Sequence, residues 1–161
     1  MNRFLRTALV PAILLASLLL PAAGSAAPLQ AGAPLPALAL KDQHDRPLGV
    51  TRDTRIVFLA AEMSASRLMA KALEALPATA LQDRQAVYIA DISDMPHPIS
   101  SIVALPRMRK LPYPVAVVQH AGDVAQLPRK PGAVTVLTTE GGAIRAIAFA
   151  QTPEAIGQYL K

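Results

Sequence analysis

The stretch Arg55-Ile56-Val57-Phe58-Leu59-Ala60-Ala61-Glu62-Met63-Ser64-Ala65-Ser66 predicts a buried strand that leads directly into a helix. Residues 55–60 form an apolar run, which is typical of a strand covered on both faces of a parallel sheet. From about Ser64 to Leu76 the apolar residues recur at helical spacing, and Pro77 limits the continuation of the helix. The segment therefore predicts a strand–turn–helix unit with Met-Ser-Ala-Ser at its turn.

The rest of the chain alternates predicted strands and helices around that unit, as in an α/β protein. A polar turn at residues 42–46 joins two short apolar strands into a hairpin. Gly141-Gly142 marks a tight turn between two later strands. Thr152 is a good N-cap and Pro153 suits a first helical position, so they predict the start of the last helix. The predicted order is hairpin 38–40 and 48–50, strand 55–60, helix 64–76, strand 86–90, helix 99–105 closed by Pro106, strand 115–118, strands 133–137 and 143–149, and a final helix.

The N-terminus has the features of a secretory signal peptide. Arg3 and Arg6 precede an apolar run over residues 8–20, and a stretch of small residues follows it. We expect cleavage near Ala26, which would leave a single domain over residues 27–161. The apolar run is short for a membrane span, and no later segment is apolar enough to be one. We therefore expect a periplasmic protein with no membrane insertion after signal cleavage; an uncleaved N-terminal anchor is the alternative.

The charge pattern argues against nucleic acid as a partner. The chain of 161 residues has 16 basic and 11 acidic residues, and without Arg3 and Arg6 the net charge falls from +5 to +3. Only residues 107–110 and 129–130 are densely basic, Trp is absent, and aromatics make up 4% of the chain. Nucleic-acid sites combine a basic stripe with stacking aromatics, so no nucleic-acid partner is expected.

The predicted order resembles the thioredoxin-like superfamily, most closely the branch of peroxiredoxins and exported cytochrome-maturation thioredoxins. Gly32-Ala33-Pro34-Leu35-Pro36, followed by Asp42, is similar to the entry motif of that branch. Residues 58–67 resemble its strand, active-site turn and helix. Residues 113–125 look like its extra strand and turn, and residues 134–141 resemble its last hairpin. The resemblance implies an α/β, thioredoxin-like three-layer fold with a mixed central sheet and an N-terminal β-hairpin.

The resemblance also locates a redox site whose cysteines this chain does not have. Met63 and Ser66 stand where the family carries its two cysteines, and the chain contains no cysteine. The thiolate is the nucleophile in thiol–disulfide exchange and in thiol peroxidase chemistry, so both activities are excluded. The cis-proline that faces this turn in the family would correspond to Pro131 or Gly132.

The turn at residues 63–66 has two interpretations. Backbone N–H groups and the helix dipole attract anions and carbonyls at a helix start. Met63, Ser64 and Ser66, together with Pro131 and Gly132, would then form a retained binding groove for a peptide or another ligand. Alternatively, Ser64 or Ser66 only caps the helix, as serine commonly does.

A methionine and a histidine close together in the sequence suggest a copper alternative. Met95 and His97, with Met63, Met108 and His120 elsewhere, offer the thioether and imidazole ligands that suit Cu(I) in an exported protein. Methionine also fills cores by default, so no metal is assigned and copper stays the alternative.

Acidic residues near the end of the predicted strand 86–90 suggest a non-thiol enzyme as a further alternative. Asp91, Asp94 and His97 follow the point where open α/β sheets place ligands. A carboxylate–histidine pair can do acid–base work, but such residues also cap helices and form solvated turns. The sequence therefore predicts an exported thioredoxin-like domain without thiol redox activity, with no catalytic residue and no cofactor, that binds or assembles with a periplasmic protein or peptide.

Overall fold

The computed structural model describes residues 29–161, so the predicted signal peptide lies outside the described residues. This part of the chain forms six strands, all in one sheet, and several short helices. None of these helices is both long enough and apolar enough to cross a bilayer. The elements in chain order are β1 Lys41–Asp42, β2 Ile56–Ala60, α1 Met63–Glu74, α2 Ala80–Asp83, β3 Ala86–Asp91, α3 His97–Ile99, a π-helix Ser100–Ala104, α4 Leu105–Met108, β4 Ala116–Val118, a 3₁₀ helix Ala121–Val124, β5 Val134–Glu140, β6 Ala143–Ala150 and α5 Pro153–Gly157.

The sheet is mixed, with strand order β1-β4-β3-β2-β5-β6. Strands β2, β3 and β4 run parallel, and Ala60 at the end of β2 lies beside Ala90 near the end of β3. Strand β5 runs antiparallel to β2, with Thr135 opposite Leu59, so its first residues lie at the same edge. The carboxyl ends of β2 and β3 and the entry to β5 therefore meet at one edge of the sheet, which we call the carboxyl edge.

Two apolar clusters cover the two faces of this sheet, which confirms the three-layer arrangement. One face packs against α1 and α5 through residues such as Met69 and Ile156. The other face is covered by the N-terminal hairpin and the segment around Leu127. Fully burying a side chain such as Phe58 or Met69 is worth roughly 1.5–3 kcal/mol. This packing replaces disulfides, which a chain without cysteine cannot form.

The N-terminal hairpin predicted at residues 38–50 is confirmed. Leu38 and Val50 exchange backbone hydrogen bonds of 3.1 and 2.9 Å. The buried Asp42 carboxylate accepts N–H bonds from His44 and Arg46 and pairs with the Arg46 guanidinium at 2.8 Å. Burial acts to raise the pKa of Asp42, but the hydrogen bonds and charge of Arg46, with the N–H of His44, outweigh it and lower that pKa.

The tight turn predicted at Gly141-Gly142 and the predicted start of the last helix are also confirmed, while the strand before the turn continues to Glu140 instead of ending at 137. Gly141 and Gly142 have φ values of +59° and +81°, which is the backbone that a two-residue hairpin turn requires. Thr152 caps α5, and its Oγ1 accepts a hydrogen bond from the Ala155 N–H at 3.2 Å.

The helix predicted over residues 99–105 is longer than expected. Helical structure begins at His97 and continues to Met108, and we call this run helix 97–108. The prediction that Pro106 closes it was wrong. Residues 100–104 form a π-helix, whose wider turn moves the preceding carbonyls away from the proline ring that would otherwise clash with them. The short helix α2 was not predicted, because four residues are too few for a periodic pattern.

Candidate functional site

Three segments meet at the carboxyl edge of the sheet. Strand β2 leads through Glu62 into α1, strand β3 ends at Asp91, and residues 128–132 precede β5. The parallel register of β2 and β3 and the antiparallel register of β5 bring them together. Chain segments that lie 70 residues apart in sequence therefore form one surface.

Glu62 links two of these segments. It is the N-cap residue of α1, with an extended backbone, and its side chain makes no capping hydrogen bond to the helix. Instead, its Oε2 accepts a hydrogen bond from the Ser64 hydroxyl at 3.0 Å and one from the Gly132 N–H at 3.4 Å. All three groups are exposed to solvent. The carboxylate therefore joins the start of α1 to the loop before β5.

The two serines of the turn do not cap α1, so the capping interpretation was wrong. The N-cap position belongs to Glu62, which places Ser64 and Ser66 inside the first turn. Ser66 is half-buried, and its N–H is already bonded to the Glu62 carbonyl at 2.9 Å. Met63 and Ser64 are exposed, and Met63 keeps 52% of its surface accessible. The turn thus presents Met63 and Ser64 outward, while Ser66 faces the interior.

The inward neighbour of Ser66 is Tyr88 on β3. Only 4% of the Tyr88 surface is accessible. Burial raises the pKa of this phenol, and the nearby Ser66 side chain acts in the opposite direction. The pKa of the neighbouring Tyr113 is also raised, mainly by burial and then by the charge of Glu74. The position that the family would give to its second cysteine is therefore occupied by a half-buried hydroxyl close to a buried tyrosine.

Pro131 and Gly132 lie on the surface at this edge. Neither of them follows a cis peptide bond, and residues 29–161 contain none, so the family's cis-proline has no counterpart in this part of the chain. Gly132 has a φ of +70°, and no atom lies within 4 Å of the place where a Cβ would stand. Its N–H points to Glu62, and its open side leaves the backbone accessible to a ligand.

Asp91 does not join Asp94 and His97 in an open acid–base site. Its side chain is only 2% exposed and lies 2.7 Å from the Arg129 guanidinium. This contact is an ion pair whose alignment falls short of a hydrogen bond, while the other carboxylate oxygen accepts the Ser93 N–H at 2.9 Å. Asp94 and His97 are exposed on the surface. The buried Asp91 carboxylate at the end of β3 thus holds Arg129, and with it the loop before β5.

An exposed apolar face on helix 97–108 was missed at the sequence level. Ile99, Ile102 and Val103 keep 51%, 72% and 39% of their surfaces accessible. Together with Met63 they are four of the five large hydrophobic residues that are exposed in the part of the chain that the structure describes. Their i, i+3, i+4 spacing is the same as that of a buried helix face, so the sequence pattern alone could not distinguish the two.

The fold and this edge can be compared with known proteins. No protein-family model and no curated protein matches the chain. A peroxiredoxin-like protein from Aquifex aeolicus superposes with a TM-score of 0.54 at 11% identity, over 84% of this chain and 88% of its own. The thioredoxin domain of a thiol-disulfide oxidoreductase from Bacteroides vulgatus gives 0.53 at 13% identity, over 83% and 99%. Peroxidoxin BcpB from Mycobacterium tuberculosis gives 0.53 at 14% identity, over 82% and 94%. The chain has a thioredoxin-like fold.

The thioredoxin-like domain contains no group that could carry the thiol chemistry named in those structures. There is no cysteine anywhere in the sequence. The strand–helix turn presents a thioether and hydroxyls, and a thioether cannot form a disulfide. The fold is therefore present without the nucleophile.

Four of the five candidate residues of the thioredoxin-like domain are exposed, namely Met63, Ser64, Pro131 and Gly132, and Ser66 is half-buried. Four of the clefts in residues 29–161 have volumes of roughly 250 to 550 Å³. The largest lies beside the hairpin turn and Tyr113, and none of the four is lined by Met63, Ser64, Ser66, Pro131 or Gly132. Such a surface suits a macromolecular segment better than a small molecule, which needs a concave site.

The copper alternative stays a sequence-based prediction. Met95 is half-buried and His97 is exposed at the start of α3. Residues 29–161 contain no group of three or more His, Asp or Glu side chains that could hold a metal ion. Methionine ligands would have to supply most of such a site, and a Cu(I) titration of the native chain against Met95→Ala tests for it.

Proposed function

We propose that this thioredoxin-like domain is an exported binding or assembly protein that works without thiol chemistry. Its ligand is a periplasmic protein or peptide, and the binding surface is the carboxyl edge of the sheet. The observation that carries the proposal is the concentration of exposed apolar side chains on the two helices that follow β2 and β3. Large exposed apolar groups gathered in one region are typical of interaction sites.

Met63 and the apolar face of helix 97–108 would supply the binding energy. Helix α1 starts with Met63, and Ile99 lies in the first turn of the helical run after β3. Because β2 and β3 are adjacent and parallel, the chain leaves both strands at the carboxyl edge and enters α1 after two residues and helix 97–108 after five. Burying one such side chain fully is worth roughly 1.5–3 kcal/mol. Three or four of them are enough to offset part of the cost of association.

The backbone N–H of Gly132 would fix the orientation of the bound segment. Gly132 is exposed, and its N–H holds the Glu62 carboxylate at 3.4 Å, which is long for a hydrogen bond. A carbonyl of an extended partner segment would replace this weak contact without leaving a buried group unpaired. Glu62 would then turn to solvent and keep its bond with Ser64.

A cross-linked pull-down from an envelope extract tests this proposal, with the partner identified by mass spectrometry. Two variants block the surface: Ser64→Trp beside Gly132, and Ile102→Asp on the helix face. Both positions are exposed, so the fold is expected to persist. Gln158→Trp, at the exposed end of α5, is the matched control. A partner that the native chain and the control capture, and that both blocking variants lose, would support the proposal.

A partner captured equally well by all four proteins would place binding elsewhere. The absence of any specific partner would count against a binding role. Export has its own test, because the proposal requires the chain to reach the periplasm. After osmotic release from a bacterial host, the intact mass should correspond to a protein that begins at Ala27. A protein that stays in the cytoplasm would contradict the proposed location.

A further inference from the structure

Strand β6 lies at the end of the sheet, and most of its outer edge is open. Residues 32–35 cover only its beginning, through backbone bonds of 2.8 to 2.9 Å to Gly142 and Ile144. The chain then turns away at Gly32. Within residues 29–161, no backbone group pairs with the outer edge of residues 145–150. This edge leaves a row of N–H and C=O groups available for another strand.

The open part of β6 carries none of the features that keep edge strands apart within its own sequence; a lysine that lies against it comes from the loop before β5, where the Lys130 ammonium lies 5.9 Å from the centre of the Phe149 ring. Residues 146–150 read Ala-Ile-Ala-Phe-Ala, with no charge and no proline. Phe149 is 38% exposed. Native proteins usually protect such an edge with lysine, proline or a bulge. Here the bulge falls at Arg145, before the open stretch, and Arg145 pairs with Glu140 at 2.8 Å.

We propose that β6 is a dimerisation edge, where it pairs antiparallel with β6 of a second copy of this chain. In the register centred on Ala148, Ala148 lies opposite itself. Ile147 of each copy then lies opposite Phe149 of the other, and aromatic and β-branched side chains are favourable cross-strand partners. Ala146 lies opposite Ala150. Both bulges and both Arg145 side chains stay outside the paired stretch.

A second copy fits this edge better than an unrelated peptide does. The two large side chains, Ile147 and Phe149, are placed symmetrically about Ala148, so the segment is complementary to itself under a two-fold rotation. The paired residues carry no charge, so bringing two copies together adds no direct repulsion between them. The two sheets would continue into one another.

The absence of native cysteine makes a single-cysteine scan decisive. Directly opposite residues in an antiparallel pair have Cα atoms about 4.5–5.5 Å apart, which lies within the range of a disulfide, about 4.4–6.8 Å. Ala148→Cys should therefore form a covalent dimer under mild oxidation. Single cysteines at 146, 147 and 149 should form much less covalent dimer, because in this register none of them lies opposite the same residue of the second copy. Ala78→Cys, exposed in the α1–α2 connection, measures cross-linking by random collision.

Sedimentation velocity of the exported protein at about 100 µM, a concentration that populates a complex with a micromolar Kd, should show a dimer. Ala148→Lys would place two like charges opposite each other and should raise the Kd roughly tenfold or more. If Ala148→Lys fails to fold, Ala146→Lys, at an exposed position, makes the same test with a milder change. A monomer at this concentration, or a scan that peaks away from 148, would overturn the proposal. The proposal would also be overturned if the amides on the outer edge of β6 were protected from hydrogen exchange only when a different protein is bound. Phe149 lies opposite Thr135 at the entry to β5. The variants at 146–149 nevertheless change none of the side chains on which the proposed partner surface depends, so the two proposals can fail separately.

Discussion

The Glu62 carboxylate lies 3.4 Å from the backbone nitrogen of Gly132, across 70 residues of sequence. The same oxygen accepts the Ser64 hydroxyl. This contact joins the first turn of α1 to the loop that enters β5. It occupies the backbone donor that the proposed partner would use, so the side chain both orders the loop and competes with a ligand.

Replacing Glu62 with alanine should loosen that loop at little cost to the fold. The contact is exposed and long, so we expect a change in the free energy of unfolding below about 1 kcal/mol. Exchange of the Lys130 and Gly132 amides should become faster, measured by hydrogen–deuterium exchange with mass spectrometry. Glu154→Ala on α5 is the control. Unchanged exchange in this loop would mean that Glu62 does not order it.

Two cysteines placed at the turn should form a disulfide. Positions 63 and 66 are three residues apart in the first turn of α1, where neighbouring side chains have Cβ atoms about 5–6 Å apart. Small adjustments at a helix start bring this within disulfide range. Met63→Cys with Ser66→Cys should therefore gain insulin reductase activity, which the native chain and each single variant should lack. A double variant that stays a dithiol under oxidised glutathione would contradict this expectation.

Removing Arg129 should lower the free energy of unfolding more than removing its ion-pair partner Asp91. Asp91 is 2% exposed and Arg129 is 33% exposed. Arg129→Ala leaves a buried carboxylate without its partner and should cost about 3–5 kcal/mol. Asp91→Ala frees an arginine that can reach water, so we expect about 1–2 kcal/mol. Urea unfolding at neutral pH measures both. Equal losses in the two variants would show that the asymmetry of burial does not decide the cost.

The buried tyrosines should make the fold sensitive to alkali. The pKa values of Tyr88 and Tyr113 are raised in the folded state, mainly by burial. Above about pH 10 the unfolded chain releases phenolic protons that the folded chain retains. Their contribution to stability is therefore complete below about pH 10 and is lost as the pH rises further.

Urea unfolding at neutral and alkaline pH tests this direction. Tyr88→Phe should lose less stability between pH 9 and pH 11, taken as roughly one unit on either side of the ordinary phenol pKa. Absorbance of tyrosinate follows the ionisation directly. If every phenol ionised near its ordinary pKa while the protein stayed folded, burial would not be protecting Tyr88.

The sequence alone predicted the parts of this protein whose signals are local. The apolar run that becomes β2, the helical spacing of α1, the paired glycines before β6 and the Thr152 cap each act within a few residues. The absence of thiol chemistry also needs only the sequence, because no arrangement of a chain without cysteine supplies a thiolate.

Only the tertiary structure decided what the turn is connected to. Two contacts join residues that lie far apart in sequence, Asp91 with Arg129 and Glu62 with Gly132. Both contacts depend on the order and register of β2, β3 and β5. The exposed face of helix 97–108 has the spacing of a buried one, and its exposure follows only from which neighbours the fold supplies. The open edge of β6 is likewise a property of strand order, since an edge exists only where the sheet has no next strand.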